Sequence, residues 1–188
     1  ISNLAQKASE KAGIKILTST TVKGFKKGKK SVTVTLDRNE KLSKIKVDRV
    51  IVAVGIEGNL TELGLEKTKI EVKDGHIVIN EWCETHEPGV YAIGDISGPP
   101  WLAHKASHEG VICIEKIVNK TNVRPIDIKR IPACTYCYPQ IASIGLTEEA
   151  AKEKGYKLRV GKFPFIGNGK AIALGEPEGL VKTIFDSK

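Results

Sequence analysis

The stretch Val90-Tyr91-Ala92-Ile93-Gly94-Asp95 constrains this chain more than any other. An apolar run enters a glycine and a carboxylate, and Gly98, Pro99 and Pro100 then break the chain. Beyond the break a helix is predicted from about 102 to 119, with Leu102, Ala106, Val111, Ile114 and Ile117 among its apolar positions. Open α/β proteins bind ligands outside the carboxyl ends of their strands. On one reading Gly94 allows close approach and Asp95 accepts hydrogen bonds from ligand hydroxyls. The helix start would offer unpaired N–H groups and the positive end of its dipole to electron-rich ligand atoms. On the other reading Asp95 caps a turn. The residues alone leave both open.

The preceding segments suit the later part of an α/β nucleotide-binding domain. A helix is predicted over 3–12, with Ser2 as N-cap and Gly13 just past its end. A buried strand is expected at 14–17, then short β-runs at 22–25 and 31–36, with Val32, Val34 and Leu36 alternating with threonines. The run over 47–54, almost continuously apolar after Arg49, reads as a buried strand ending at Gly55. A strand is placed at 77–79, and residues 121–132 read as a polar, proline-bearing linker. Beyond it come strands at 141–144, 158–163, 171–174 and 180–185, and a short helix capped by Thr147 and closed by Gly155.

The 188 residues are enough for one or two domains. The net charge of +8 raises nucleic acid as a partner, but the densest basic cluster, Lys26, Lys27, Lys29 and Lys30, lies between two β-runs. A solvated hairpin turn accounts for it, and only Phe25 supplies an adjoining aromatic, so no nucleic-acid partner is expected. No apolar run reaches the length of a membrane span, and none is expected. Cys83, Cys113, Cys134 and Cys137 are too few and scattered for a disulfide scaffold, which points to a reducing compartment. The chain starts at Ile1 and contains no Met, so a piece of a longer protein is expected.

Several motifs look chemical and are set aside. Cys134-Thr135-Tyr136-Cys137 resembles a redox pair or half a zinc site, yet no second such pair completes it, and no metal site is expected. Residues 24–31 fall one short of a P-loop, with Lys30 intervening. Gly167-Asn168-Gly169 lacks the third glycine of a dinucleotide fingerprint and reads as a turn. His76, His86 and His108 are read as surface residues, and His104 as a structural hydrogen-bonder at the helix start.

The sequence Tyr91-Ala92-Ile93-Gly94-Asp95, with Trp101-Leu102-Ala103-His104-Lys105-Ala106 and Glu109-Gly110, closely resembles the second flavin motif of the pyridine nucleotide–disulfide oxidoreductases. The resemblance extends upstream through Val50-Ile51-Val52-Ala53-Val54-Gly55 and downstream through Tyr138 to Thr147. Two later stretches, Lys162-Phe163-Pro164-Phe165 and Asn168-Gly169-Lys170-Ala171, look most like the dihydrolipoyl dehydrogenase branch.

The resemblance implies a mixed α/β and α+β fold in three parts. Residues 1–55 would end a Rossmann-like NAD domain, 56–130 would form a central FAD-contacting segment, and 131–188 would open an α+β dimerisation domain. Asp95, after Gly94, would bind the ribityl chain of FAD, and the Ala103 N–H would face the flavin pyrimidine edge with Leu102 and His104 beside it. A helix N-terminus there would stabilise negative charge on the reduced flavin. Gly55 and Val22 match positions near NAD. The segment Gly55-Ile56-Glu57-Gly58-Asn59 departs from the commoner family form, which has Arg and Pro after the glycine.

The implied reaction is oxidation of dihydrolipoyl groups by NAD through an enzyme disulfide and FAD. The implied setting is a homodimer attached to a 2-oxoacid dehydrogenase complex through its lipoyl-bearing acyltransferase, in the bacterial cytoplasm or the mitochondrial matrix. The redox disulfide and Gly-rich loops are expected upstream and the catalytic His and Glu downstream, so no catalytic residue is expected in this chain and it should be inactive alone. The alternatives are another reductase of the family, of mercuric or glutathione type, or a non-catalytic binding or dimerisation module.

Overall fold

The structure is a computed structural model describing residues 1–188, and it divides into two compact units, Ile1–Gly55 and Ile56–Lys188. The mixed α/β class expected from the sequence is observed.

In the first unit, helix α1 (Ser2–Lys11) has Ile1 rather than Ser2 as its N-cap, with no side-chain cap. It closes at Gly13, whose φ of 89° is costly for other residues and which donates to the Glu10 carbonyl at 2.9 Å. Three antiparallel strands follow, β1 (Thr20–Lys27), β2 (Val32–Arg38) and β3 (Lys41–Val47), in spatial order β1-β2-β3. The basic cluster spans the end of β1 and the β1–β2 turn, where Gly28 N–H donates to the Ser31 carbonyl at 2.7 Å. Central β2 buries Val34 and Leu36, the alternation its sequence predicts.

Strand β3 was not anticipated. Its two-residue turn, Asn39-Glu40, has φ values of 52° and 63°, and Glu40 is not a residue that advertises a left-handed turn. The expected strands at 14–17 and 47–54 are absent beyond Val47 of β3, and Ile51 and Val54 are 90% and 93% exposed. A buried strand needs ladder partners on its flanks, and beyond Val47 nothing in this chain pairs with either segment.

The second unit begins with a short hairpin, β4 (Val72–Lys73) and β5 (His76–Ile77), turned by Asp74 and Gly75. The run at 90–95 makes one bridge, Tyr91 to Glu84, instead of a full strand, then tightens into a 3-10 turn over Gly94–Ser97. Helix α2 spans Ala103–Ile117. The linker over 121–132 is irregular apart from a 3-10 turn at Ile128–Arg130.

The hairpin β6 (Ala133–Thr135) and β7 (Ile141–Ser143) leads to helix α3 (Glu148–Glu153), where Thr147 Oγ1 accepts from Ala150 N at 3.2 Å as expected. Strands β8 (Leu158–Pro164) and β9 (Leu180–Asp186) pair antiparallel. Between them the expected strand at 171–174 is instead helix α4 (Gly169–Ala173). Asn168 Oδ1 accepts from Lys170 N and Ala171 N at 2.9 and 3.1 Å, and that cap turns the apolar run helical.

The accessible surface is 14966 Å², against roughly 8,800 Å² for a compact monomer of this mass. Only Val34, Leu36, Ile77, Cys83, Ala92, Cys113 and Ala151 are buried apolar residues. Much of the apolar surface therefore has no covering within the chain.

Candidate functional site

Helix α2 shows which face matters. The expected apolar positions Val111, Ile114 and Ile117 are 56%, 59% and 44% exposed, whereas Lys105, Glu109 and Cys113 are buried. Those three lie at i, i+4 and i+8, one stripe of a helix. The stripe faces the 94–98 turn. Lys105 Nζ donates to the Gly94 carbonyl at 3.1 Å, the Ser97 hydroxyl at 3.1 Å and the Gly98 carbonyl at 3.0 Å, and pairs with Glu109 Oε1 at 2.9 Å. Glu109 Oε2 accepts the Gly94 N–H at 2.7 Å, and the Ser97 hydroxyl, which donates to the Gly94 carbonyl at 2.7 Å, lies 3.4 Å from both carboxylate oxygens.

Gly94 serves this packing. At φ 81° an added Cβ would sit 3.3 Å from the Ala106 Cβ, so the bare backbone lets the turn lie against α2. Its missing side chain faces the helix, and that is what its bare backbone does within the fold.

Asp95 and Ala103 are both exposed. Asp95 lies in the first position after Gly94 in the 3-10 turn. The N-cap of α2 is Leu102, which contributes no side-chain bond, and the first helical acceptor is filled by Ala106 N–H on the Leu102 carbonyl at 3.2 Å. The N–H groups of Ala103, His104 and Lys105 therefore precede the helical ladder, as the first amides of any helix do. Leu102 is half-buried and lines a cleft of about 400 Å³ with Pro99, Pro100, Ile131 and Ile144.

His104 Nε2 donates to the Pro132 carbonyl at 2.7 Å, the structural bond anticipated for it, and ties the start of α2 to the residue before β6. His86 and His108 are exposed as expected, but His76 is not a plain surface residue. It stacks on Trp101 with ring centroids 5.8 Å apart, accepts from Trp101 Nε1 at 3.1 Å, and its Nδ1 donates to the Asp74 carbonyl at 2.7 Å. Lys105, Glu109 and the His76–Trp101 contact escaped the sequence reading. A Lys and a Glu spaced with Leu102, Ala106 and Cys113 on one helical face were a usable signal for the first two. Nothing local announces a contact across 25 positions.

Burial favours the protonated form of two thiols. Cys83 is pushed up to about 11, first by burial, then by Glu109 and Cys113, while Lys105 pulls the other way. Burial, with Glu84, also raises Cys113. Cys134 and Cys137 are free, and no group of three or more His, Cys, Asp or Glu side chains is placed to hold a metal ion.

The structure brings Gly94, Asp95, Leu102, Ala103 and His104 together in the second unit. Val22 and Gly55 belong to the first. Val22 lies in β1, 58% exposed, beside a bulge between Val22 and Gly24. Gly55 is exposed with φ 147° and open space around it.

Comparison with known proteins gives this site a context. The family model described as pyridine nucleotide-disulphide oxidoreductase matches residues 1–110, and the dimerisation domain of the same family matches 131–188. A dihydrolipoyl dehydrogenase of Rhizobium etli is 51% identical over 189 residues, covering 100% of this chain and 39% of the relative. One from Zymomonas mobilis is 43% identical, with 100% and 40% covered. The chain thus spans about 40% of the length of these curated relatives.

Among solved structures, LpdA of Mycobacterium tuberculosis superposes with a TM-score of 0.85 at 21% identity, over 99% of this chain and 40% of that one. A Cu(II) complex of the HOCl-induced flavoprotein disulfide reductase RclA of Escherichia coli gives 0.87 at 21%, over 100% and 42%. At such identity these show the fold. Members of the matched family use FAD and NAD. No helix is long and apolar enough to cross a membrane. By the family models that match its sequence over most of its length, this chain belongs to the pyridine nucleotide-disulphide oxidoreductase family.

Proposed function

We propose that this chain is the flavin-supporting and interface-forming part of a dihydrolipoyl dehydrogenase, which oxidises dihydrolipoyl groups with NAD. One observation carries the reading. In a chain 51% identical to such an enzyme, an exposed carboxylate, Asp95, and the amide start of a fifteen-residue helix are fixed to one another through buried contacts. The residues fit a flavin. Asp95 is exposed and free to accept from ribityl hydroxyls, and the Ala103 amide lies at an exposed helix start where an electron-rich ring edge is favoured. FAD, when bound, supplies the two-electron carrier between thiols and nicotinamide.

The work of this chain is orientation. Asp95 holds a hydroxyl chain, Ala103 donates a hydrogen bond, Leu102 shields the ring edge from water, and His104 braces the helix start from behind. Gly55 and Val22 are proposed to approach NAD, by their match to family positions. Residues 1–55 are assigned to the end of the NAD domain, 56–130 to the central FAD-contacting domain and 131–188 to the start of the interface domain. The dimerisation match supports a homodimer, and attachment to a 2-oxoacid dehydrogenase complex is proposed from the family resemblance. Four free cysteines and bacterial relatives support a cytoplasmic setting.

The test is turnover of dihydrolipoamide with NAD. The full-length protein is expected to be yellow and active, and the 188-residue chain inactive. A full-length protein that reduces oxidised glutathione or mercuric ion and ignores dihydrolipoamide would overturn the assignment.

A further inference from the structure

We propose that Lys105 and Glu109 are the positioning pair of the flavin site, locking the Asp95 turn and the Ala103 helix start into one unit. The proposal rests on the flavin reading of Asp95 and Ala103 given above.

Ion pairs at i, i+4 on helices usually sit in water and contribute a few tenths of a kcal/mol. This one does not: Lys105 is 3% and Glu109 7% exposed. Burying two charges costs desolvation, and well-packed apolar residues commonly serve stability as well or better. Stability alone is therefore a poor account of the pair.

Its contacts give a better one. Apart from each other, the two side chains spend every hydrogen bond described for their charged groups on residues 94–98. The Gly94 N–H meets Glu109, while the Gly94 and Gly98 carbonyls both meet Lys105. Gly94 and Gly98 have φ values of 81° and 101°, the backbone turns that let those carbonyls face the same ammonium. Asp95 stands between the two clamped ends. The clamp is anchored in the first two turns of α2, the helix whose first residue is Ala103. An apolar pair would fill the space and leave the turn free to rotate its carboxylate. The ammonium and carboxylate, with directional bonds, fix it.

The experiment uses full-length apoprotein titrated with FAD, read by quenching of flavin fluorescence, with thermal melting measured alongside. The variants are Lys105→Met, the double variant Lys105→Met/Glu109→Gln, and Asp95→Ala. Lys105→Met leaves a buried carboxylate unpaired and is expected to lower both melting temperature and FAD affinity. The double variant is neutral and close in shape, so its melting temperature should largely recover. Its FAD affinity should stay about tenfold or more below the parent, the scale of one misdirected charged hydrogen bond. Because the double variant restores folding without restoring the clamp, it decides the case even where the single variant fails to fold.

Recovery of FAD affinity together with melting temperature would overturn the positioning role, since charge neutrality would then be all the pair supplies. Asp95→Ala separates the two levels. If it weakens FAD while the double variant does not, only the positioning role falls. If Asp95→Ala also binds FAD like the parent, the flavin reading of the site falls and the positioning role falls with it.

Discussion

Gly94 and Gly110 face the same helix–turn contact from opposite sides, and an added methyl group should have opposite consequences at the two positions. At Gly94 an alanine must adopt φ 81°, a left-handed conformation that costs an L-residue about 1–2 kcal/mol. Its Cβ would also stand 3.3 Å from the Ala106 Cβ, inside the usual 3.5–4.0 Å carbon contact, which adds a fraction of a kcal/mol. The sum is about 1–3 kcal/mol. For a chain of this size that is a fall in melting temperature of about 2–10 °C. At Gly110, within α2, the backbone is already helical, and alanine gains about 0.5–1 kcal/mol over glycine there. The new Cβ would meet only the Ile93 Cδ1 at 3.4 Å, the movable end of a side chain. Gly110→Ala should therefore leave melting unchanged or raise it slightly. Thermal unfolding of both variants, followed by circular dichroism at 222 nm, is the assay. Equal shifts of the same sign in the two variants would refute the reasoning, because it rests on backbone conformation and not on added volume.

Three further outcomes are expected. Cys83 is raised above the 9.0 of a free thiol, so its contribution to stability is complete below that pH and is lost as pH climbs through about 11. The alkaline fall in melting temperature should be shallower in Cys83→Ala, and an identical fall in both proteins would contradict the burial argument. In the 188-residue chain a maleimide should label exposed Cys137 fast, Cys134 more slowly, and Cys83 and Cys113 only on unfolding, as peptide mapping would show. Rapid labelling of Cys83 in the folded chain would oppose this. Asn168→Ala should remove the cap of α4 and cost about 1 kcal/mol, seen as lost amide protection at Lys170 and Ala171; unchanged protection would mean the helix does not depend on its cap.

Where the sequence was legible, the signal was local. Thr147 announced the start of α3, and Gly13 the end of α1, because a cap is written in one or two residues. The alternation in β2 gave its buried face. Where it failed, the deciding partner lay elsewhere. The run at 47–54 has the composition of a central strand, but no flanking strand in this chain completes it, and it stands exposed. The apolar side chains of α2 drew the eye to Val111, Ile114 and Ile117, while the turn at 94–98 is held by a charged stripe. Asp95 and Ala103 stand out in the sequence because the motif that carries them is nearly contiguous. The clamp beneath them was missed because a buried lysine and glutamate look like an ordinary surface pair until the stripe is drawn.

The central claim is that Asp95 and the start of α2 hold the flavin, and a crystal structure of the full-length protein with FAD tests it most directly. The account predicts an Asp95 carboxylate oxygen within hydrogen-bonding distance of a ribityl hydroxyl, about 2.5–3.0 Å, and the Ala103 N–H about 2.7–3.2 Å from an acceptor on the flavin pyrimidine edge. FAD bound with Asp95 turned to solvent and the Ala103 amide contacting water alone would contradict it.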